Sequence, residues 1–167
     1  MHDASLLLNL FKLIGEGKLD RYKFMQMLAR ALVQEIAASR AGIWFYQGAL
    51  QDSLVCETLY DAGDGQWTSG MVLHEDDFQP YFESMREGRI LVAPNARQHP
   101  ATACFSEGYL EPLNIYSRLD VVIDVAGSLV GVLSCEQTAH EHDWTQQDLQ
   151  YLQQGAATIG LALKKFP

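Results

Sequence analysis

Residues 115–138, IYSRLDVVIDVAGSLVGVLSCEQT, decide how the rest of the chain is arranged. Two runs rich in β-branched residues flank Ala126-Gly127, a pair suited to a two-residue hairpin because glycine accepts the positive φ of such a turn. In regular register from that turn, Val121 lies opposite Val132, Ile123 opposite Val130, and Ser117 opposite Glu136. One face then carries Ser117, Leu119, Val121, Ile123, Val132, Ser134 and Glu136. The other carries Arg118, Asp120, Val122, Asp124, Leu133 and Cys135. Neither face is uniformly polar, so the hairpin is expected inside a sheet covered on both sides. Glu136, a carboxylate at the end of an apolar face, is the first functional candidate.

Upstream, the apolar spacing predicts a short amphipathic helix over 4–14, stopped by Gly15 and Gly17, and a longer one over 21–39 capped by Asp20. The second helix is apolar over more than one stripe, so it needs two partners. The sheet is one; the other is either the first helix folded across it or a second copy of the same helix. Strands are predicted over 41–47, 53–60 and 66–73, the last after a turn-rich break. Phe78, Tyr81, Phe82 and Met85 recur at helical spacing over 75–87, followed by Gly88 and a short strand over 89–93. Residues 95–114 are irregular and rich in aromatics, as a lid would be. After the hairpin, Thr145 and Asp148 form the pattern of a capping box opening a final helix over 145–164.

At 167 residues the chain fits one domain, 1–167, comprising N-terminal helices over 4–39, a sheet-and-pocket core over 41–144 and the last helix. Apolar residues make up 48% and charged residues 20%, which is globular composition. Twelve Lys and Arg against 21 Asp and Glu leave a net charge of −9, which argues against nucleic acid and anionic membranes as partners. No apolar run approaches a bilayer span and no cationic leader precedes one, so a cytoplasmic location is expected. Cys56, Cys104 and Cys135 are odd in number and set among apolar residues, as reduced thiols are.

The order of these elements resembles the GAF domain, a small-molecule sensory module. The residues that carry the resemblance are Ala41-Gly42-Ile43-Trp44, Tyr109-Leu110-Glu111-Pro112-Leu113, Ser117-Arg118-Leu119-Asp120-Val121, Gly127 with Gly131-Val132-Leu133, and Cys135-Glu136-Gln137 followed by Asp143-Trp144-Thr145. It implies an α+β, profilin-like fold: a central antiparallel sheet with the terminal helices on one face and a lidded pocket on the other. It further implies a non-enzymatic sensory or regulatory module of bacterial-type signal transduction. Such a module dimerises through its terminal helices and passes strain to an effector, here a separate protein. Under that architecture an unknown small-molecule ligand would be roofed by Phe78, Tyr81, Phe82, Phe105 and Tyr109. Ser117 and Glu136 would form the floor, with Leu119 and Ser134 beside them on the same hairpin face. Glu136→Ala is expected to weaken a polar ligand while leaving the fold intact.

Three alternatives carry different chemistry. Some GAF domains hold a bilin on a lid cysteine, and Cys104 lies there. The histidine that usually follows it is absent, however, and Glu136-Gln137 stands where a histidine commonly meets the chromophore, so a bilin is not expected. A relative that reduces free methionine sulfoxide would need the cysteines to converge as nucleophile and resolving thiol. A ligand-free dimerisation scaffold is the third. His140-Glu141-His142-Asp143 has ligand-type side chains, but four adjacent loop residues rarely converge on one ion, and no metal is expected.

Overall fold

The computed structural model describes residues 1–166; the expected domain's last residue, Pro167, lies outside them. Helix α1 (Ser5–Gly15) and helix α2 (Arg21–Ile36) precede strands β1 (Arg40–Gln47), β2 (Ser53–Asp61), β3 (Gln66–Thr68) and β4 (Val72–His74). Helix α3 (Gln79–Gly88), strand β5 (Ile90–Ala93), a 3₁₀ turn (Ala103–Phe105) and a π turn (Ser106–Leu110) follow. The hairpin β6 (Ile115–Val125) and β7 (Ser128–Thr138) leads to helix α4 (Gln146–Ala162). Strand order is β3-β2-β1-β7-β6-β5, every pairing is antiparallel, and β4 adds to β2. Both hairpin strands are therefore interior to the sheet.

Several local expectations hold at atomic level. The Asp20 carboxylate accepts from the Lys23 amide at 2.8 Å, capping α2. Thr145 and Asp148 exchange the two hydrogen bonds of a capping box at the start of α4. Ala126 and Gly127 both take positive φ, as a two-residue hairpin of this kind requires. Other expectations move. The strand over 66–73 is broken at Gly70, where φ is +94°, into β3 and β4. Helix α3 begins at Gln79 rather than at residue 75, because Pro80 lacks an amide and belongs in a first turn.

The largest correction is the hairpin register. Near the tip Val125 faces Ser128 and Asp124 faces Leu129, as in regular pairing, but Ile123 then faces Gly131. Val130 is the extra residue of a β-bulge. From there Val122 faces Val132, Asp120 faces Ser134 and Arg118 faces Glu136. One inserted residue exchanges the faces of one strand relative to the other.

Two cores result. On one side of the sheet, Leu10 of α1, Phe24, Leu28 and Leu32 of α2, and Tyr151, Leu152 and Ile159 of α4 pack on Ile43, Leu119, Val121, Leu133 and Cys135. Each such side chain removed from water contributes about 1.5–3 kcal/mol. Helix α1 covers its neighbours through Leu7, Leu10 and Ile14, so the first of the two partners weighed for α2 is present within the chain. On the other side Trp44, Cys56, Tyr81, Phe82, Met85, Phe105 and Val132 form a separate core under α3 and the irregular segment.

Candidate functional site

Buried charge is concentrated on the lid-side face of the hairpin. Arg118 and Asp120 are two residues apart on β6 and so project to one side. The bulged register sets them across from Glu136 and Ser134, and Arg40 of β1 stands opposite Glu136 on the other flank. Asp120 is 0% exposed, Ser134 2%, Glu136 3% and Arg118 4%, a degree of burial that charges tolerate only when paired.

They are paired throughout. Arg118 Nη2 donates to Asp120 Oδ2 at 2.8 Å and to Ser134 Oγ at 3.0 Å. The Ser134 hydroxyl donates to Asp120 Oδ1 at 2.8 Å, and the Tyr81 hydroxyl donates to the same carboxylate. Arg40 Nε donates to Glu136 Oε1 at 3.0 Å, Nη1 to Asp61 Oδ2 at 3.3 Å and Nη2 to the Tyr109 hydroxyl at 3.3 Å. Tyr109 completes the circuit by donating to Glu136 Oε1 at 3.0 Å. The Arg118 guanidinium also lies over the rings of Tyr81 and Phe105, 5.2 and 5.1 Å from their centroids, within cation–π range.

Electrostatics follow from that circuit. Burial opposes the charge of Arg118 more than any other single influence. Asp120, Tyr81, Glu136 and Tyr109 together outweigh it and hold the guanidinium above its ordinary value. Arg40 is raised in the same way, burial being overcome chiefly by Glu136. Burial first, and the neighbouring carboxylates next, push the phenols of Tyr81 and Tyr109 well above the usual range.

The lid is fastened from both ends. Phe78 stacks on Phe105 at 4.6 Å, and Phe105 meets Tyr81 edge-on at 5.0 Å. Thr102 Oγ1 donates to the Ala96 carbonyl at 2.6 Å and Ser106 Oγ to the Arg97 carbonyl at 2.9 Å. The π turn that carries Tyr109 is a rare backbone form that is frequent at functional sites. Beneath the lid a void of about 10 Å³ remains between Trp44, Met71, Leu73, Phe105, Tyr109 and Arg118, roughly the room of one water.

Trp44 and Met71 also border a much larger cleft, about 430 Å³, that opens beside the lid between β1, β2, the β3–β4 turn and Leu113. Arg40, Asp61 and Asp64 line it with Cys56 and Leu59. Gly42 makes room for its wall: a Cβ there would stand 2.8 Å from Trp44 Nε1. Grooves of similar size at β5–α4 and beside the N-terminus are not lined by residues of the ionic circuit.

Of the residues expected to surround a ligand, the structure brings together Phe78, Tyr81, Phe82, Phe105, Tyr109, Ser134 and Glu136 in the lid-side layer. Leu119 is a correction. The bulge turns it to the helix side, opposite Cys135 and away from the lid. Ser117 is another: its hydroxyl donates to the Pro94 carbonyl and accepts from the His142 amide, stapling two loops at the sheet end. Arg118, Asp120, Arg40 and Trp44 were missing from the expected set. The available signal was the Arg-x-Asp spacing inside an apolar strand, which puts opposite charges on one buried face.

The three thiols do not converge. Cys135 lies in the helix-side core, while Cys56 and Cys104 both pack in the lid-side core. Burial pushes Cys56 up to about 12, Cys135 well above the ordinary thiol value and Cys104 upward as well, none of which suits a nucleophile. In the polar loop His142 packs against Trp144 at 4.6 Å, and among the described residues no group of His, Cys, Asp and Glu is arranged to hold a metal ion. Nor is any helix among them long and apolar enough to cross a membrane.

A family model described as the GAF domain matches residues 20–163. No curated protein matches the sequence significantly. Among solved structures, the phycoerythrobilin-bound GAF domain from a cyanobacterial phytochrome superposes with a TM-score of 0.81 at 14% identity, covering 99% of this chain and 95% of that one. The GAF domain from an Acinetobacter phosphoenolpyruvate-protein phosphotransferase gives 0.73 at 12% identity, with 98% and 95% covered. Free methionine-R-sulfoxide reductase from Neisseria meningitidis in complex with its substrate gives 0.68 at 16%, with 95% and 86% covered. At these identities the likeness speaks for the fold.

Proposed function

We propose, from the premise that this chain belongs to the GAF domain family, that it is a non-enzymatic small-molecule-binding module of signal transduction. The observation that carries this reading is the pairing of a cleft of about 430 Å³ with a nearly closed interior, Trp44 and Met71 being common to both. A ligand enters the cleft, displaces Met71 and loosens the lid, and its binding energy selects between closed and open arrangements. Phe78, Tyr81, Phe82, Phe105, Tyr109, Ser134 and Glu136 form the part of the site that opens.

Output passes through the terminal helices of a homodimer to a separate effector protein. Leu8 of α1 and Leu161 of α4, 71% and 51% exposed, support an apolar contact on those helices. The thiols, each raised by burial, support a binding role over the reductase alternative. A bilin is left out of this reading, because the space beneath the lid is taken by the protein's own Arg118 circuit. Native mass spectrometry, with comparison of native and denatured masses, tests the proposal. A dimer carrying a small molecule that leaves on denaturation is the expected result; protein that never retains or responds to a small molecule would favour the scaffold alternative.

A further inference from the structure

The cleft beside the lid has a charge balance that selects among ligand classes. Its walls are apolar where Trp44, Leu59, Met71 and Leu113 meet, and Met71 and Leu113 are left 47% and 40% exposed there. Arg40, the one cation of its lining among the described residues, is already held by Glu136 at 3.0 Å and Asp61 at 3.3 Å. Behind it Arg118 is taken by Asp120 at 2.8 Å. The local set is thus two guanidiniums, Arg40 and Arg118, against four carboxylates, Asp61, Asp64, Asp120 and Glu136. Asp64 is exposed at the rim, and its only bond to the chain among the described residues is from the Gln66 amide to Oδ1 at 2.9 Å. An anionic ligand would find both guanidiniums spent and, at the entrance, the exposed Asp64 beside Asp61, whose oxygens accept from Arg40 and the Gly63 amide.

We infer that the cleft takes a small organic cation with an apolar body, its charge toward Asp61 and Asp64 and its hydrocarbon or ring against Trp44, Met71 and Leu113. This rests on the small-molecule reading of the same pocket and names the ligand class for it. Three contributions converge on a cation: the carboxylates at the rim, the aromatic Trp44 in the wall, and the polarisable Met71 thioether. The apolar walls add affinity without sign, so charge decides among ligands of one shape.

The test uses three compounds of similar shape, benzyltrimethylammonium, benzyl alcohol and phenylacetate, titrated into the full chain at millimolar concentration. The reporter is the indole N–H resonance of Trp44, assigned by its loss in Trp44→Phe. Benzyltrimethylammonium should move that resonance with about tenfold higher affinity than benzyl alcohol, and phenylacetate should be weakest. Asp64→Asn keeps the Gln66 turn, because the Asn oxygen still accepts from that amide, and should weaken the cation about threefold while leaving benzyl alcohol unchanged. Equal affinities for all three compounds, or indifference of the cation to Asp64→Asn, would overturn the ligand class and leave the cleft as a binding site. No movement of the Trp44 resonance with any compound would overturn both the class and the pocket on which it rests.

Discussion

Gly131 lies so close to the backbone of Trp44 that a Cβ on the glycine would overlap the Trp44 carbonyl oxygen and crowd a Phe45 ring carbon 3.0 Å away. The approach sits beside the bulge at Val130, where β7 is drawn against β1 and the hairpin register changes. Gly131→Ala must push these two central strands apart, and overpacking of this kind costs about 1–3 kcal/mol. A urea midpoint unchanged by the substitution would show that the strands can separate freely there, contrary to the close contact described.

Glu136→Ala removes the acceptor shared by Arg40 and Tyr109, leaving a buried guanidinium short of a partner. The expected loss is about 3–5 kcal/mol of unfolding free energy, since breaking one side of a buried pair costs more than the pair contributes. This departs from the expectation that the substitution would spare the fold. Equilibrium denaturation of the variant distinguishes the two.

Alkali should unfold the protein through its lid. Tyr81 and Tyr109 have phenols raised in the folded state, so the stability they supply is complete below the ordinary phenol value of about 10 and is lost as pH rises beyond it. Phenolate absorbance should rise in two stages, with these two tyrosines ionising only as the circular dichroism of the sheet disappears. A single early stage covering all seven tyrosines would contradict their burial.

Thiol titration at mildly alkaline pH reads the two cores separately. Cys56 and Cys135 should stay unmodified in the native protein and Cys104 should react slowly, with all three reacting in denaturant. Rapid native reaction at Cys56 or Cys135 would favour the reductase alternative instead.

Asp148 supplies an acid-sensitive tie. Burial alone would raise its value, but the Thr145 amide and His2 hold it below the ordinary carboxylate range. Its stability is therefore present above about pH 4 and is lost as pH falls through the lowered folded value. Asp148→Ala should cost about 1 kcal/mol at neutral pH through loss of its half of the capping box and of the His2 contact, and flatten stability below pH 4.

Element order was legible because each element announces itself locally: Asp20 and Thr145 begin helices, Ala126-Gly127 turns a hairpin, and aromatics at helical spacing mark α3. The faces of the hairpin were not legible, because they depend on one residue, Val130, that no period-two pattern distinguishes from its neighbours. Arg118 and Asp120 consequently read as the wrong side, and Leu119 replaced them among the expected pocket residues. The cleft was hidden for another reason. Its lining is assembled from four separated segments, and only the folded sheet sets Trp44 beside Asp61, Met71 and Leu113.

Strand β7 alternates between the two cores one residue at a time: Ser134 and Glu136 belong to the ionic circuit and Cys135 to the layer packed on the helices. The sheet is a partition a single peptide thick at this point. Any displacement of Glu136 would therefore move the Cα of its neighbour Cys135, and with it the seat of Leu133 of β7 against Gly155 of α4. The shortest lever available to a folded chain joins the chamber where a ligand would act to the surface where a partner would feel it.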